Sequence, residues 1–174
     1  MGAEEIQSHL ERLADEIRGR CAGDSELLAL IGIRRRGVYL ARRLGAILRC
    51  RLDRDLPEGA LDINLYRDDW TTLGPRAVVG RTVLDFEVNG RIILLVDDVL
   101  YTGRTVRAAM EAMADYGRPR RMDLVALVDR GGRELPIHAD YTGRAVSAAQ
   151  DERVDVLLSE LDGRDEVILR KIQP

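Results

Sequence analysis

The stretch ILLVDDVLYTGRTVRAAMEAM, from Ile93 to Met113, constrains the fold of this chain more than any other. An apolar run of strand length drives into two adjacent acids, Asp97 and Asp98. A short turn follows, and then apolar residues at helical spacing. The pattern predicts a strand from Arg91 to Val96, ending at the acids, and a helix from about Gly103 to Tyr116. Two carboxylates side by side repel each other and gain nothing in a core. Their use therefore lies outside the fold itself.

The remaining periodicities extend this unit into a sheet. Ile6, Leu10, Leu13 and Ile17 make residues 4 to 20 one helix, and LLALIGI, ending near Gly32, is a short buried strand. RRRG follows it, and VYLARRLGAIL is helical again. LDINLY alternates like a strand, RTVLDFEV reads as a strand or hairpin arm turning at Asn89 and Gly90, and MDLVALV is another strand. VDVLL and EVILR are two short apolar runs near the end. Strands alternating with helices predict a single α/β domain, with a mainly parallel twisted sheet and helices on both faces. The 174 residues suffice for one core, and no repeat or linker divides them.

Composition excludes several classes. A net charge of -3 gives no general pull toward nucleic acid or membrane, although a local basic face remains compatible with it. No apolar run reaches the roughly 20 residues a membrane span needs. The first residues form an acidic amphipathic helix, unlike a signal peptide. Cys21 and Cys50 lack a CxxC spacing and read as reduced thiols of a cytoplasmic protein. Lys171 is the only lysine, so nearly every positive side chain is an arginine, the residue suited to gripping phosphate. There is no GxGxxG or GxxxxGK[ST] motif, and His9 and His138 are the only histidines, which leaves little support for a Ser-His-Asp hydrolase.

In such a sheet, ligands bind beyond the carboxyl ends of the strands, where strand order switches. Asp97 and Asp98 sit at such an end. A helix start offers unpaired N–H groups and a positive dipole end, which hold an anion. Thr102 and Thr105 add hydroxyls, Gly103 admits close backbone approach, and Val99, Leu100, Tyr101 and Arg104 complete the turn. A phosphate cradled there brings the carboxylates within reach of the sugar that carries it. Carboxylates accept hydrogen bonds from vicinal hydroxyls and tolerate Mg²⁺ nearby. The residues therefore suggest acids for a ribose and a turn for its 5′-phosphate. A turn-capping acid pair is the structural alternative.

VDDVLYTGRT resembles the phosphoribosyl pyrophosphate (PRPP) signature of type I phosphoribosyltransferases. With LYRDD at 65–69 and ALVDRGGRELPIHADYTGR at 126–144, the chain is similar more specifically to the PyrR family, over most of its length. The resemblance implies a type I phosphoribosyltransferase-like fold with a small hood region. It also implies transfer of ribosyl-5-phosphate from PRPP to uracil, giving UMP and pyrophosphate, with Mg²⁺ held mainly by PRPP. It further implies a homodimer or higher homo-oligomer, and regulation of pyrimidine genes through uridine-nucleotide-dependent binding of leader mRNA.

The resemblance also assigns the other loops. Arg35 and Arg36, in GIRRRG, correspond to the pyrophosphate loop, with a solvated basic turn as the alternative. Segment 67–80, long for a connection, resembles the lid that closes over PRPP, with Arg76 as its candidate arginine and Arg81 as the alternate. Tyr66, Arg67, Asp68 and Asp69 would anchor the lid base or a dimer contact. Uracil would lie under a hood near VDRGGRELPIHADYTG, residues 128–143, with Arg130 as the charged contact and Val154 as an apolar or backbone one from the next strand. Asp140 and Tyr141 suit either base contact or turn structure, and His138 reads more readily as a surface residue than as a donor to uracil. Arg12, Arg18, Arg20, Arg133 and Arg144 would make the RNA face. Two positions depart from the family pattern. Gly132 stands where a histidine is usual, and His138 where a basic residue is common. Two other readings stay open at this point: an RNA-binding nucleotide sensor with little catalysis, and a phosphoribosyltransferase for another base.

Overall fold

Strand β1 (Leu28–Ile33) is buried along its whole length, the condition of a central strand in a parallel sheet covered on both faces. The computed structural model describes residues 1–66 and 81–172. In it, β1 lies between β2 (Glu58–Leu61) and β3 (Ile92–Leu100), and β4 (Arg121–Asp129) and β5 (Tyr141–Ala145) continue the sheet. The order is β2-β1-β3-β4-β5, and every neighbouring pair is parallel.

Alternation along the strands divides the core into two layers. Leu28 and Leu30 of β1, with Ile92, Leu94 and Val96 of β3, face α1 (Ala3–Cys21) and α2 (Arg36–Leu52). Ala29, Ile31 and Ile33, with Ile93 and Leu95, face α3 (Arg104–Ala114). Burial of each such leucine or isoleucine contributes about 1.5–3 kcal/mol. The consequence for function is topological. β1 and β3 are neighbours, but the helices that follow them leave to opposite faces, which opens a crevice at their carboxyl ends.

β6 (Glu152–Leu157) and β7 (Glu166–Lys171) form a separate antiparallel pair, linked through α4 (Ser159–Asp162). This pair, termed the hood, lies beyond residues 128–143, where the hood was expected and which hold the end of β4, a loop and the start of β5. The N-terminus is tied to it, because Val167 N–H donates to the Met1 carbonyl at 2.8 Å.

Three expectations need correction. The strand thought to end at Val96 runs on to Leu100, since β4 stays apolar through Val128 and its ladder continues past the acids, with Asp97 opposite Ala126 and Val99 opposite Val128. The strand read in LDINLY stops at Leu61. The Asp62 carboxylate then accepts the Asn64 N–H at 2.8 Å and turns the chain into a 3-10 turn, Asn64–Tyr66. The arm read in RTVLDFEV amounts to one bridge, Val83 to Ala60, although the turn at Asn89 and Gly90 forms as expected.

Candidate functional site

Asp97 and Asp98 lie inside the end of β3, at the mouth of the β1–β3 crevice. Asp97 is 5% exposed, and the Asp98 N–H donates to its Oδ1 at 3.0 Å. Burial, and then the charge of Asp98, push Asp97 well above the ordinary carboxylate range. Burial also raises Asp98, against the pull of its hydrogen bond with Asp97 and of the Arg36 charge. A buried acid pair without a bound cation between its members is an unfavourable element unless a ligand uses it.

The turn beyond is braced by the loop that follows β4. Gly103, at φ 91°, is the residue before α3, and no side chain from that position caps the helix. The first turn of α3 contains no acid, so its positive end is not neutralised locally. Thr102 Oγ1 accepts the Arg104 N–H at 3.3 Å, and the Thr102 carbonyl accepts the N–H groups of Glu134 and Leu135 at 3.0 and 3.1 Å. The Arg104 side chain turns away and donates to Glu134 at 2.7 Å. Val99, Leu100, Tyr101 and Thr105 complete the surround, with Leu100 buried and Tyr101 exposed.

Across the crevice, Arg35 precedes the first residue of α2, and the Arg34–Arg35 peptide is cis. Arg36 donates to the Asp162 carboxylate in the hood, while its Nε is buried without a partner among the described residues. The flanking loops thus bring Arg35, Arg36, Asp97, Asp98 and the Thr102–Thr105 turn to one edge of the sheet. Arg76 and the Arg67–Asp69 group lie outside the described residues. Arg81 is exposed and outside any helix or strand.

The region expected to face the base is built around Arg130. It is 7% exposed, its guanidinium stacks on Tyr101 at 3.7 Å from the ring centre, and it donates to the Ala149 carbonyl at 3.2 Å. Its Nε too is buried without a partner among the described residues. The departure at Gly132 belongs to this arrangement. Gly132 adopts φ 76°, and a Cβ there would fall 2.6 Å from the Tyr101 ring. A histidine at 132 would displace the tyrosine that Arg130 covers. Val154 packs into the core layer shared with α1 and α2, and it pairs with Leu169 across the β6–β7 ladder.

Several alternatives resolve toward structure. Asp140 accepts the Leu124 N–H at 2.8 Å, and Tyr141 is buried beside Cys21. His138 is exposed, as the surface reading expected. Arg133 does not join an open basic face. Its guanidinium donates to the carbonyls of Ile137, Leu100 and Tyr101 and to Asp129, and its side chain is only 16% exposed. Arg12, Arg20 and Arg144 do share one face, the seam between α1 and β5. Arg12 donates to the Thr142 and Gly143 carbonyls, Arg20 to the Asp140 carbonyl, and Arg144 to Glu5. Arg18 pairs with Asp15 on the same helix. Sequence reasoning missed Asp129, which anchors Arg133 and the Gly131 N–H, and Asp162. Nothing in the local sequence marks Asp162, because Arg36 is distant in the chain, whereas Asp129 lies only four residues before Arg133.

No group of three or more acidic, histidine or cysteine side chains among the described residues is spaced to hold a metal. Asp97 and Asp98 offer at most part of the octahedral oxygen shell that Mg²⁺ demands. The donor set therefore suits an ion carried in by a polyphosphate and completed by water. No helix among the described residues is long and apolar enough to cross a membrane.

Comparison with known proteins agrees with this geometry. Residues 2–156 match the phosphoribosyl transferase domain model. The chain is 51% identical over 171 residues to the bifunctional protein PyrR of Syntrophobacter fumaroxidans, covering 98% of this chain and 91% of the relative. It is 52% identical over 170 residues to that of Herpetosiphon aurantiacus, covering 97% and 94%. Among solved structures, the hypoxanthine phosphoribosyltransferase of Trypanosoma cruzi in complex with IMP superimposes with a TM-score of 0.66 at 22% identity, covering 86% of this chain and 76% of that one. At that identity the likeness is one of fold.

Proposed function

The chain belongs to the phosphoribosyl transferase domain family and, within it, to the PyrR proteins, and from this premise we propose how its site transfers ribosyl-5-phosphate from PRPP to uracil. The observation that carries the proposal is the buried Asp97–Asp98 pair beside an α3 start that bears no acid and no side-chain cap from Gly103. In the reaction the bond from the sugar C1 to pyrophosphate breaks, a bond from C1 to uracil N1 forms, and the N1 proton leaves. No nucleophile of the protein is needed, so catalysis is positioning plus charge stabilisation.

Thr102, Gly103, Arg104 and Thr105 hold the 5′-phosphate through backbone N–H groups and hydroxyls. Asp97 and Asp98 accept hydrogen bonds from the ribose hydroxyls as positive charge develops on the ring. Arg35 and Arg36 bind the departing pyrophosphate, with Arg76 as the arginine contributed by the lid. Arg130 and the Val154 backbone orient the base. Mg²⁺, when bound with PRPP, neutralises charge on the leaving group.

The second activity is regulation of pyrimidine genes by uridine-nucleotide-dependent binding of leader mRNA. The Arg12, Arg20 and Arg144 seam is the basic surface offered for it, since phosphate and shape recognition needs such a face. A homodimer or higher homo-oligomer in the cytoplasm is the expected form. The test of the enzymatic reading is a competition assay with PRPP, Mg²⁺ and labelled uracil against orotate and hypoxanthine. UMP should form, and neither competitor should suppress it. Absence of UMP, or preference for another base, would contradict the proposal.

A further inference from the structure

Asp162 lies in the hood, far along the chain from the β1–α2 loop, yet its carboxylate meets Arg36. Both bonds come from one guanidinium nitrogen, Nη2, at 3.1 and 3.2 Å. The same carboxylate accepts the Leu158 N–H at 2.9 Å, so the acid is fixed before it grips the arginine. The segment that carries it is fixed as well. Arg43, further along α2, donates to Ser159 Oγ at 2.9 Å, to Asp165 at 2.8 and 2.9 Å, and to Glu160. The frame that orients Arg36 is thereby anchored to the helix that bears Arg36.

Because Asp162 takes only Nη2, the second donor on that edge of the guanidinium is left over. Its Nε is buried without a partner among the described residues. A buried donor in that state costs about 1–3 kcal/mol until an acceptor arrives. A Cβ on Gly37 would lie 2.3 Å from the Val96 carbonyl oxygen, so the loop rests directly against β3 just before the acid pair. The Arg36 charge also reaches Asp98.

We propose that Asp162 is a positioning residue, which holds Arg36 through Nη2 so that the remaining donors of the guanidinium meet the departing pyrophosphate. The inference rests on the transferase reading for its ligand, but not for its geometry. An unheld arginine would turn toward Asp98 or solvent, and its rotamer freedom would be lost anew at each binding event. Asp162 lowers that cost in advance. It makes no contact with the substrate itself.

The test is a double-mutant cycle on the full-length protein, read by calorimetric binding of inorganic pyrophosphate and by steady-state kinetics. Asp162→Asn keeps a carbonyl oxygen for the Leu158 N–H but loses the charge that grips Arg36. It should weaken pyrophosphate binding and raise KM for PRPP by about tenfold, within the range measured for coupled neighbours, with KM for uracil unchanged. In an Arg36→Gln background, the same substitution should cost nothing more. Wild-type affinity in Asp162→Asn, an equal rise in KM for uracil, or an undiminished loss in the Arg36→Gln background would each overturn the proposal. Binding can be read without turnover. A protein that binds pyrophosphate through the Arg36–Asp162 couple but makes no UMP would remove the enzymatic reading alone. A protein that binds no pyrophosphate would remove both.

Discussion

Arg43 and Arg36 leave the same helix and reach the same acidic segment of the hood, but they end in opposite states. Arg43 is engaged by Ser159, Glu160 and Asp165, with its side chain 20% exposed. Arg36 has one carboxylate and a buried Nε with no partner among the described residues. The same contrast separates the Arg133 bracket, closed by carbonyls and Asp129, from the Asp97–Asp98 pair, where two acids face each other. Charges whose hydrogen bonds are complete hold the fold together. Charges left incomplete at the edge of a sheet are stable only as part of a binding site, and they weaken the protein when nothing is bound.

That difference is open to direct attack. The largest effect should come from Asp98→Asn, which removes a ribose acceptor made most strongly in the transition state. It should lower kcat/KM for UMP formation by roughly 100-fold or more with the unfolding midpoint nearly unchanged. Arg43→Ala should do the reverse. Loss of a largely enclosed charge with three partners should cost about 2 kcal/mol, or about 4–8 °C in Tm, while the residual enzyme still turns over.

Asp97→Asn should stabilise the free protein, and the sign follows from its raised pKa. The folded state binds the Asp97 proton more tightly than the unfolded chain, whose carboxyl titrates near pH 3.9. Stability from this group is complete below that pH and is lost as pH rises toward the folded value. The asparagine variant escapes the loss. Its Tm should exceed the wild type by about 2–4 °C at neutral pH, with the gap closing toward about pH 4. A gap that widens in acid would contradict the assignment.

The smallest expected effect is on RNA. Arg144 is half exposed and its partner Glu5 equally so, and such surface pairs contribute little to stability. Arg144→Gln should leave uracil transfer intact and reduce the salt dependence of leader-RNA binding by about one phosphate contact in a gel-shift titration. Arg133→Gln is a different experiment, since that residue braces the loop between the phosphate turn and the base.

Much of this was legible in the sequence, for stated reasons. The two-layer core followed from apolar runs that a parallel sheet must bury on both faces, and the turn between the acids and α3 followed from local order: strand, acids, glycine, helix. The end of β3 was misread because two aspartates look like a strand terminus, whereas the apolar neighbour β4 keeps the ladder going to Leu100. Asp162 and the role of Gly132 were beyond reach, because Arg36 and Tyr101 are brought to them only by the fold; Asp129, four residues before Arg133, is a local pairing that the sequence allows. Arg12 and Arg20 looked like free cations of a surface helix, yet each is bonded to backbone carbonyls of β5 or the residue before it.

The central claim is that the acid pair reads a ribose and the adjoining turn reads its 5′-phosphate. Calorimetric titration of the wild type with UMP, uridine and 2′,3′-dideoxy-UMP tests it without requiring turnover. UMP should bind tightest, with uridine and the dideoxy nucleotide each weaker by about tenfold or more, the scale of losing charge-assisted hydrogen bonds. Asp98→Asn should bring UMP and its dideoxy analogue close to the same affinity. Equal binding of UMP and dideoxy-UMP by the wild type would contradict the account, because the two buried aspartates would then have no ribose to serve.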